Sequence, residues 1–307
     1  MKVVFLGTPS FAVPVLDAIC NSKHKVLAVV TQPDRKSGRH MTVTYSPVKE
    51  LALEKKLPVY QPENISKELE DTLRSLKPDC MVTAAYGQIL KQNILDICPI
   101  YNVHASILPK YRGSSPVQWA LINGDEEVGV TIMKTELGID TGDILNIKAT
   151  KLNGNENAEE TLEILSKLGS TAIIEALDAL ENGTAVFTKQ DDSKATHCKM
   201  LDKEDGLLDF SDTALNIYNK MRGLNPWPST FTYLNGSRLK VMKAEIIDYP
   251  AEVEPGTVVV ANYKEGIIVK TKDKCLRLIE IQPENGKRML STQYLLGKKV
   301  EEGTILG

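Results

Sequence analysis

The alternation of apolar runs with amphipathic stretches over the first 188 residues is the feature that most constrains the fold. The runs Val3–Leu6, Val26–Val30 and Cys80–Ala84 are apolar at almost every position, which is typical of strands buried on both faces of a sheet. Between them, apolar residues recur at helical spacing, for example from Phe11 to Ile19. We therefore predict an α/β fold in residues 1–188, a Rossmann-like parallel sheet that binds a ligand at the carboxyl ends of its strands.

The pattern changes after a polar segment, residues 189–203, which we expect to be a linker lying over the surface. A helical stretch from Ala214 to Met221 follows, and then short apolar runs punctuated by Gly and Pro: Lys240–Met242, Thr257–Val260, Gly266–Val269 and Leu276–Ile279. Short strands at this spacing predict a small β-barrel, similar to the OB barrels that bind oligonucleotides, over residues 204–307.

Length and charge agree with two folded domains. A chain of 307 residues exceeds the usual size of a single domain. Its formal net charge is −3, which excludes a generic basic protein that coats nucleic acid. Residues 204–307 carry equal numbers of basic and acidic side chains. Any contact with RNA must therefore come from a local patch.

The five cysteines are scattered, with no CxxC pair and no tight grouping with histidine. This predicts neither a disulfide framework nor a metal site. The first residues do not resemble a signal peptide, and no run of 18 apolar residues occurs. We expect a cytoplasmic protein without a membrane partner, and a monomer.

Gly7, Thr8 and Pro9 follow the first predicted strand, where nucleotide-binding proteins carry a glycine-rich loop. The dinucleotide fingerprint GxGxxG lacks its second and third glycines here. We therefore interpret Gly7 as part of a tight turn from strand to helix.

Asn102 and His104 are separated by one residue in an apolar segment. In an extended chain, such residues point to the same side. An amide donor beside an imidazole suits acyl transfer, in which an oxyanion develops and a proton moves near neutral pH. The alternative is that both side chains simply bond the backbone, with His104 a satisfied core histidine.

Asp140 and Asp143 lie in a loop bounded by Gly138 and Gly142, between two apolar segments. A carboxylate in this loop could orient an imidazole or position a water molecule. Alternatively, either aspartate could cap local backbone amides in an Asx turn.

Several of these motifs occur together in one known family. They are Gly7-Thr8-Pro9, Asn102-x-His104, Ser106-Ile107-Leu108-Pro109, Tyr111-Arg112-Gly113 and Gly138-x-Asp140-Thr141-Gly142-Asp143. Over almost its entire length, the chain resembles the 10-formyltetrahydrofolate-dependent formyltransferases, most closely the members that act on a charged tRNA. The resemblance implies 10-formyltetrahydrofolate as co-substrate, no metal, and a catalytic set of Asn102, His104 and Asp140, with Asp143 less suited to catalysis.

The resemblance also implies which residues contact folate. One set matches the family's SLLP segment, and a second matches the loop beside the pteridine. In this chain the two sets are Ser106, Ile107, Leu108 and Pro109, and Ala85, Tyr86, Gly87, Ile89 and Leu90.

Methionyl initiator tRNA is the acceptor that the resemblance implies. Candidate contacts are a basic loop with Arg35, Lys36 and Arg39, and the charged residues Lys287, Arg288, Lys298 and Lys299 of the second domain. Without the resemblance, these would be ordinary solvated surface charges. We expect Asn225-Pro226-Trp227-Pro228 to pack the barrel rather than read a base.

Three other functions are alternatives. The first is formylation of an amino sugar nucleotide, against which the Arg39 loop argues. The second is an RNA-binding protein without catalysis, which would have no use for an Asn/His/Asp set. The third is a nicotinamide dehydrogenase, which the incomplete glycine fingerprint disfavours.

Overall fold

The computed structural model describes residues 1–37 and 42–307, without the side chains of Lys36, Ser37 and Thr42. The chain forms two compact units. The first unit comprises residues 1–116, 127–151 and 162–198, and the second comprises residues 117–126, 152–161 and 199–307. The predicted domain limits, 1–188 and 204–307, do not assign residues 117–126 and 152–161 to the second unit. These limits stay predictions.

The secondary structure follows in chain order. The strands are β1 (Lys2–Gly7), β2 (Lys25–Val30), β3 (Arg35–Ser37), β4 (Thr42–Thr44), β5 (Val59–Tyr60), β6 (Cys80–Ala84), β7 (Ile100–His104), β8 (Arg112–Gly113), β9 (Glu127–Lys134), β10 (Ile144–Lys151), β11 (His197–Cys198), β12 (Thr230–Leu234), β13 (Ser237–Ile247), β14 (Val258–Asn262), β15 (Gly266–Lys270), β16 (Cys275–Pro283) and β17 (Met289–Leu290). The helices are α1 (Ala12–Cys20), α2 (Pro47–Glu54), α3 (Lys67–Leu76), α4 (Gln92–Leu95), α5 (Pro116–Ile122), α6 (Ala158–Glu181), α7 (Ala214–Leu224) and α8 (Ser291–Gly297).

The first unit is built on a seven-stranded sheet with the order β10-β9-β7-β6-β1-β2-β5. The strands from β7 to β5 are parallel, which confirms the Rossmann-like prediction for them. β9 and β10 run antiparallel, so the expectation of a wholly parallel sheet is wrong at this edge. A short loop joins these two strands directly, and such a connection is open only to antiparallel neighbours.

Local sequence explains why α2 and α3 begin where they do. Ser46 caps α2 by accepting a hydrogen bond from the Lys49 N–H, with Pro47 in the first turn. Ser66 caps α3 by accepting from the Leu69 N–H. These caps satisfy backbone donors that have no partner inside the helix.

The strand order reverses between β1 and β6, because the chain runs from β1 out to β5 and then returns to β6. At this point Gly7 lies so close to its neighbours that an added Cβ would be 2.7 Å from the Phe5 ring and 2.9 Å from the Ala84 carbonyl oxygen. This confirms the tight-turn interpretation of Gly7. Crevices at such a reversal are where open α/β sheets bind ligands.

The second unit contains a six-stranded antiparallel sheet. β12, β13, β16, β15 and β14 lie side by side in that order, and β17 pairs with β16. Within the part of the chain that the structure describes, no pairing joins β14 back to β12. The antiparallel β-rich character is confirmed, while closure into an OB-like barrel stays a prediction.

The core of the second unit is apolar. Its members come from the sheet, from α7 and from the segments that flank them: Leu208, Phe210, Ala214, Ile217, Met221, Leu234, Leu239, Val241, Ala244, Val258, Ile267, Val269, Leu276, Leu278, Ile281, Val300 and Leu306. Trp227 does not belong to this core and is 55% exposed. The expectation that its segment packs a barrel is therefore wrong for the indole, which the turn before β12 leaves facing solvent.

The predicted linker also differs from expectation. Gln190 is buried, and β11 pairs in parallel with β8. Residues 189–198 belong to the first unit, and most of the segment is exposed, with Gln190 as a buried exception that bonds buried polar groups there. The linker limits stay a prediction. In the described residues, no helix is long and apolar enough to cross a membrane.

Candidate active site

His104 is the last residue of β7 and is buried, with its side chain 7% exposed. Its Nε2 lies 3.0 Å from the carbonyl oxygen of Tyr111. A carbonyl oxygen can only accept, so Nε2 must carry the hydrogen of this bond. The other ring nitrogen, Nδ1, lies 3.6 Å from Oδ2 of Asp140. The imidazole therefore stands between two acceptors, and only its doubly protonated form can donate to both.

Asn102 is two residues earlier on β7, on the same side of the strand as His104. Its amide has a fixed direction, because the Thr83 hydroxyl donates to Oδ1 of Asn102 at 3.0 Å. The Nδ2 end is therefore turned towards Asp140, whose Oδ1 lies 3.5 Å away. Sequence reasoning missed Thr83. Its signal is a single hydroxyl near the end of the apolar run Cys80–Ala84, in register with Asn102.

Asp140 has a backbone φ of +52°, in the left-handed region that non-glycine residues rarely adopt. Its Oδ2 accepts a hydrogen bond from the Gly113 N–H at 2.8 Å. This partner is distant in sequence, so Asp140 does not form the local Asx turn that was the alternative. The carboxylate lies beside both Asn102 and His104, and the structure thus brings the three predicted catalytic residues together.

The loop that carries Asp140 is closely packed. An added Cβ at Gly142 would overlap the Lys134 carbonyl oxygen at 1.8 Å, so only glycine fits. Asp143 uses its own carbonyl oxygen to accept from the Lys134 N–H at 2.9 Å. The glycine spacing seen in the sequence therefore reflects a turn held against the end of β9.

The first predicted folate segment, residues 106–109, follows β7 directly. Its backbone is held by Thr131 of β9, whose hydroxyl donates to the Ser106 carbonyl oxygen at 2.7 Å and accepts from the Leu108 N–H at 3.1 Å. The side chains of Ser106 and Leu108 are buried, and the Ser106 hydroxyl donates to the Lys110 carbonyl oxygen. Ile107 and Pro109 are only half-buried. Sequence reasoning did not identify Thr131 as the residue that holds this segment.

The second predicted folate segment, residues 85–90, leaves the end of β6. The side chains of Tyr86 and Leu90 are buried in the apolar cluster against the sheet, whereas Ile89 is exposed. Burial raises the pKa of the Tyr86 hydroxyl to about 12. Ala85 and Gly87 both have positive φ angles. Any contact of Tyr86 or Leu90 with a ligand must therefore use the backbone.

The loop of residues 85–90 is held in place through one carbonyl group. The Tyr86 carbonyl oxygen accepts from the Thr8 hydroxyl and from Nε2 of Gln32, each at 3.1 Å. Over the described part of the chain, no backbone N–H of residues 85–90 donates to another protein group. These donors are free to bind the polar edge of a ring at the point where the strand order reverses.

The candidate tRNA residues come from the sequences of both units. Arg35 is exposed on β3, which pairs with β4. Arg39 lies outside the described residues, as does the side chain of Lys36. Next to this hairpin, the neighbouring Lys49 and Gln61 hold the pKa of Asp34 below its usual range.

The four basic candidates of the second unit are exposed. Arg288 forms an ion pair with Glu280, and Lys299 forms one with Glu301 at 3.0 Å. Lys287 and Lys298 have no ion pair among the residues that the structure describes.

Across residues 1–37 and 42–307, no three His, Cys, Asp or Glu side chains group closely enough to hold a metal ion.

The sequence of the chain matches a known protein family. The formyl transferase family matches residues 1–177, and the C-terminal domain of formyl transferases matches residues 200–299. A methionyl-tRNA formyltransferase of Caldanaerobacter subterraneus subsp. tengcongensis is 43% identical over 311 residues, covering all of both chains.

Two solved structures share the fold. An N-formyltransferase from Helicobacter canadensis, in complex with folinic acid and dTDP-3-aminofucose, has a TM-score of 0.69 at 20% identity, covering 91% of this chain and 99% of its own. A methionyl-tRNA formyltransferase from Clostridium thermocellum has a TM-score of 0.56 at 19% identity, covering 80% of this chain and 93% of its own. At such identities these matches show the fold alone, whereas the full-length sequence match identifies the subgroup. The chain therefore belongs to the formyl transferase family and, within it, to the methionyl-tRNA formyltransferases.

Proposed function

We propose that the chain transfers the formyl group of 10-formyltetrahydrofolate to the α-amino group of methionyl initiator tRNA. The products are N-formylmethionyl-tRNA and tetrahydrofolate. The observation that carries the proposal is the convergence of three side chains from two distant parts of the sequence. Asp140 lies 3.5 Å from the Asn102 amide nitrogen and 3.6 Å from the His104 ring.

In the proposed reaction, the neutral α-amino nitrogen attacks the formyl carbon, and the carbonyl oxygen becomes an oxyanion. The amide N–H of Asn102 and the Nδ1–H of protonated His104 stabilise this oxygen, as preformed donors do in acyl transfer. Nδ1 is available for this role because it lies 3.6 Å from Asp140, beyond hydrogen-bond distance, whereas Nε2 is bonded to the Tyr111 carbonyl oxygen. The hydrogen bond from Thr83 supports this role for Asn102, because it keeps the amide oxygen away from the developing negative charge.

Asp140 has two roles in the proposal. Its carboxylate compensates the positive charge of the protonated His104 ring, and it accepts the proton that the attacking amine loses, directly or through a water molecule. When the tetrahedral carbon collapses, the C–N bond to the folate breaks. The folate nitrogen leaves with that electron pair and takes up the proton that Asp140 accepted, so the reaction balances.

The proposed folate site uses backbone groups of residues 85–90 and 106–109. The free N–H groups of the first segment suit the polar edge of a pterin ring. Ile89 is exposed, and Ile107 is half-buried. These two side chains supply apolar contact, while the buried side chains of Tyr86 and Leu90 support the segment from below.

For the tRNA, we propose that the β3–β4 region with Arg35, Lys36 and Arg39 binds the acceptor end. Lys287, Arg288, Lys298 and Lys299 of the second unit would contact phosphates. Exposed cations of this kind bind nucleic acid mainly by displacing counterions. The proposal also includes a cytoplasmic location and a monomeric state. Light scattering of the purified protein would test the monomeric state.

The test is transfer of a labelled formyl group from 10-formyltetrahydrofolate to methionyl initiator tRNA and, separately, to an amino sugar nucleotide. We expect transfer to the tRNA alone. Asn102→Ala should lower kcat by about 10²- to 10³-fold, the usual loss when one oxyanion donor is removed. Asn182→Ala, at an exposed asparagine at the end of α6, is the matched control and should behave as the native protein.

Two outcomes would contradict the proposal. Transfer to the sugar nucleotide but not to the tRNA would retain the folate chemistry and overturn the acceptor. Near-native turnover by a folded Asn102→Ala variant would overturn the catalytic assignment.

A further inference from the structure

Two buried polar side chains connect the segment after His104 with the loop of Asp140. Arg112 is 4% exposed and follows Tyr111, whose carbonyl oxygen contacts His104. Its guanidinium donates from Nε and Nη2 to Oε1 of Gln190, at 3.0 and 2.8 Å. Nη2 also donates to Asp192 at 2.7 Å. The arginine therefore has a fixed partner at the oxygen end of Gln190.

The nitrogen end of Gln190 holds the Asp140 loop. Its Nε2 donates to the carbonyl oxygen of Asp140 at 2.8 Å and to that of Gly142 at 2.7 Å. Both hydrogens of the amide are thus used, one on each side of Thr141. Gln190 itself is 6% exposed, so water does not readily replace these bonds.

The direction of the Gln190 amide is set by charge. The Arg112 guanidinium has only donors, so of the two ends of the Gln190 amide it can pair only with the oxygen. The amide nitrogen must then face the two carbonyl groups of the loop. Reversing the amide would place donors against donors and acceptors against acceptors, in a buried site where unpaired polar groups are costly.

Asp140 needs such support. Its left-handed backbone is unfavourable for a residue with a Cβ, and such conformations persist where the surroundings determine them. The same backbone conformation directs the carboxylate towards Asn102, His104 and the Gly113 N–H. A glycine would relieve the strain but would remove the carboxylate, so the loop must be held from outside.

We propose that Gln190, oriented by Arg112, is a positioning residue that holds Asp140 in its catalytic conformation. This inference rests on the proposed function, because it deepens the assignment of Asp140. Gln190 does not touch the reacting atoms; it acts through the backbone of Asp140 and Gly142. The segment expected to be a simple linker thus supplies part of the active-site support.

Gln190→Glu tests the inference because it changes only the donor end of the side chain. A carboxylate still accepts from Arg112, but it cannot donate to the two carbonyl groups. We expect kcat for formyl transfer to methionyl-tRNA to fall about 10- to 100-fold, as expected for a small misplacement of a catalytic group. KM for both substrates should change less than about twofold, because binding surfaces are left alone. Gln282→Glu, which removes a donor to the Gly286 carbonyl oxygen in the second unit, is the matched control and should leave kcat unchanged.

A double-mutant cycle distinguishes positioning from a general structural role. If Gln190 acts through Asp140, then Gln190→Glu should change kcat less than about twofold in the Asp140→Asn background, since interacting sites are not additive. Single turnovers at high enzyme concentration provide the rates. Equal fold-changes in both backgrounds, or native kcat in Gln190→Glu, would overturn the inference.

The outcomes also separate this inference from the proposed function. A native protein that does not formylate methionyl-tRNA, or native kcat in Asp140→Asn, contradicts the proposed function itself. Should Gln190→Glu fail to fold, as judged by thermal melting, Gln190→Met replaces it in the same cycle. The methionine has nearly the same length and also lacks the two donations, so the same kcat loss and the same non-additivity are expected.

Discussion

The two units differ in how they hold their candidate functional side chains. In the first unit, Asn102, His104 and Asp140 are largely buried, and each has a partner that fixes its direction. In the second unit, Arg288 and Lys299 are exposed and pair with carboxylates on the same surface. The first unit therefore holds its candidate catalytic residues as buried, hydrogen-bonded polar groups, whereas the candidate residues of the second unit lie on its surface.

This difference follows from what each task requires. Stabilising a developing charge needs donors held in place before the reaction, since reorganisation would cost part of the benefit. Contact with phosphates is long-ranged and tolerates movement of the side chain. Single substitutions should therefore have large effects on activity in the first unit and small, distributed effects on tRNA affinity in the second.

The largest effect is expected for His104→Ala. The variant loses an oxyanion donor and the ring beside the Asp140 carboxylate, so kcat should fall about 10²- to 10⁴-fold. Steady-state formyl transfer and a thermal melt would measure this. A folded variant with a rate within tenfold of the native rate would contradict the expectation that substitutions in the first unit have large effects on activity.

In the second unit, the large effect should be on stability. Phe231 is fully buried, with the Arg238 guanidinium 3.6 Å from its ring centre. Phe231→Ala should lower the free energy of unfolding by about 3–5 kcal/mol. Trp227→Ala, four residues earlier at an exposed indole, is the matched control and should change it by less than about 0.5 kcal/mol. Urea denaturation of both variants would measure these changes. Comparable decreases in the free energy of unfolding would show that the Trp227 indole is packed.

Thr83→Val should have a smaller effect on catalysis. It removes the hydroxyl that orients the Asn102 amide while preserving the shape of the side chain. The loss of one neutral hydrogen bond of about 1 kcal/mol corresponds to roughly a fivefold decrease in kcat. Thr83→Ser keeps the hydroxyl and should restore the rate. If Val and Ser variants have equal rates, the orientation of Asn102 does not depend on Thr83.

Acid sensitivity offers a further contrast within the first unit. Hydrogen bonds from Asn93 and Arg74 lower the pKa of Glu70 on α3 from 4.5 to about 2. Because the folded pKa is lowered, the stabilisation is fully present above about pH 4.5 and is lost as the pH falls towards about 2. The stability difference between the native protein and Glu70→Gln should shrink across this window. Urea midpoints measured from pH 6 to pH 3 would show it, and a constant difference would contradict the assigned cause.

The smallest effects are expected at the surface of the second unit. Lys287→Gln should reduce the slope of log affinity for tRNA against log salt by roughly 0.7–0.9, the contribution of one phosphate contact. Arg288→Gln should reduce it less, because Arg288 already pairs with Glu280. Filter binding over a range of salt concentrations would measure both. Larger slope changes at Arg288 would indicate that its ion pair opens to contact the RNA.

Much of the fold followed from local patterns. The apolar runs predicted β1, β2 and β6, and the helical stretches from Phe11 to Ile19 and from Ala214 to Met221 predicted α1 and α7. Extended geometry placed Asn102 and His104 on one side of a strand. The antiparallel direction of β9 and β10 was missed, because an apolar strand looks the same in either direction.

The support of the site was harder to predict. Thr83, Thr131 and Gln190 are ordinary polar residues, and no spacing links them to their partners. Gln190 lies 50 residues from Asp140 in the sequence. Its role depends on a buried arginine that arrives from another segment, and only the folded chain shows this.

The sequence by itself predicted the two-part organisation and the Rossmann-like class of the first unit, because these depend on residue type and short-range period, which are properties of the chain alone. The candidate Asn/His/Asp set came from the resemblance of its motifs to a known family. The tertiary structure decided which end of the Asn102 amide faces Asp140, how Asp140 is held in a left-handed conformation, and which basic residues are already paired. Such properties arise from hydrogen bonds and ion pairs between segments, and burial makes their geometry energetically decisive.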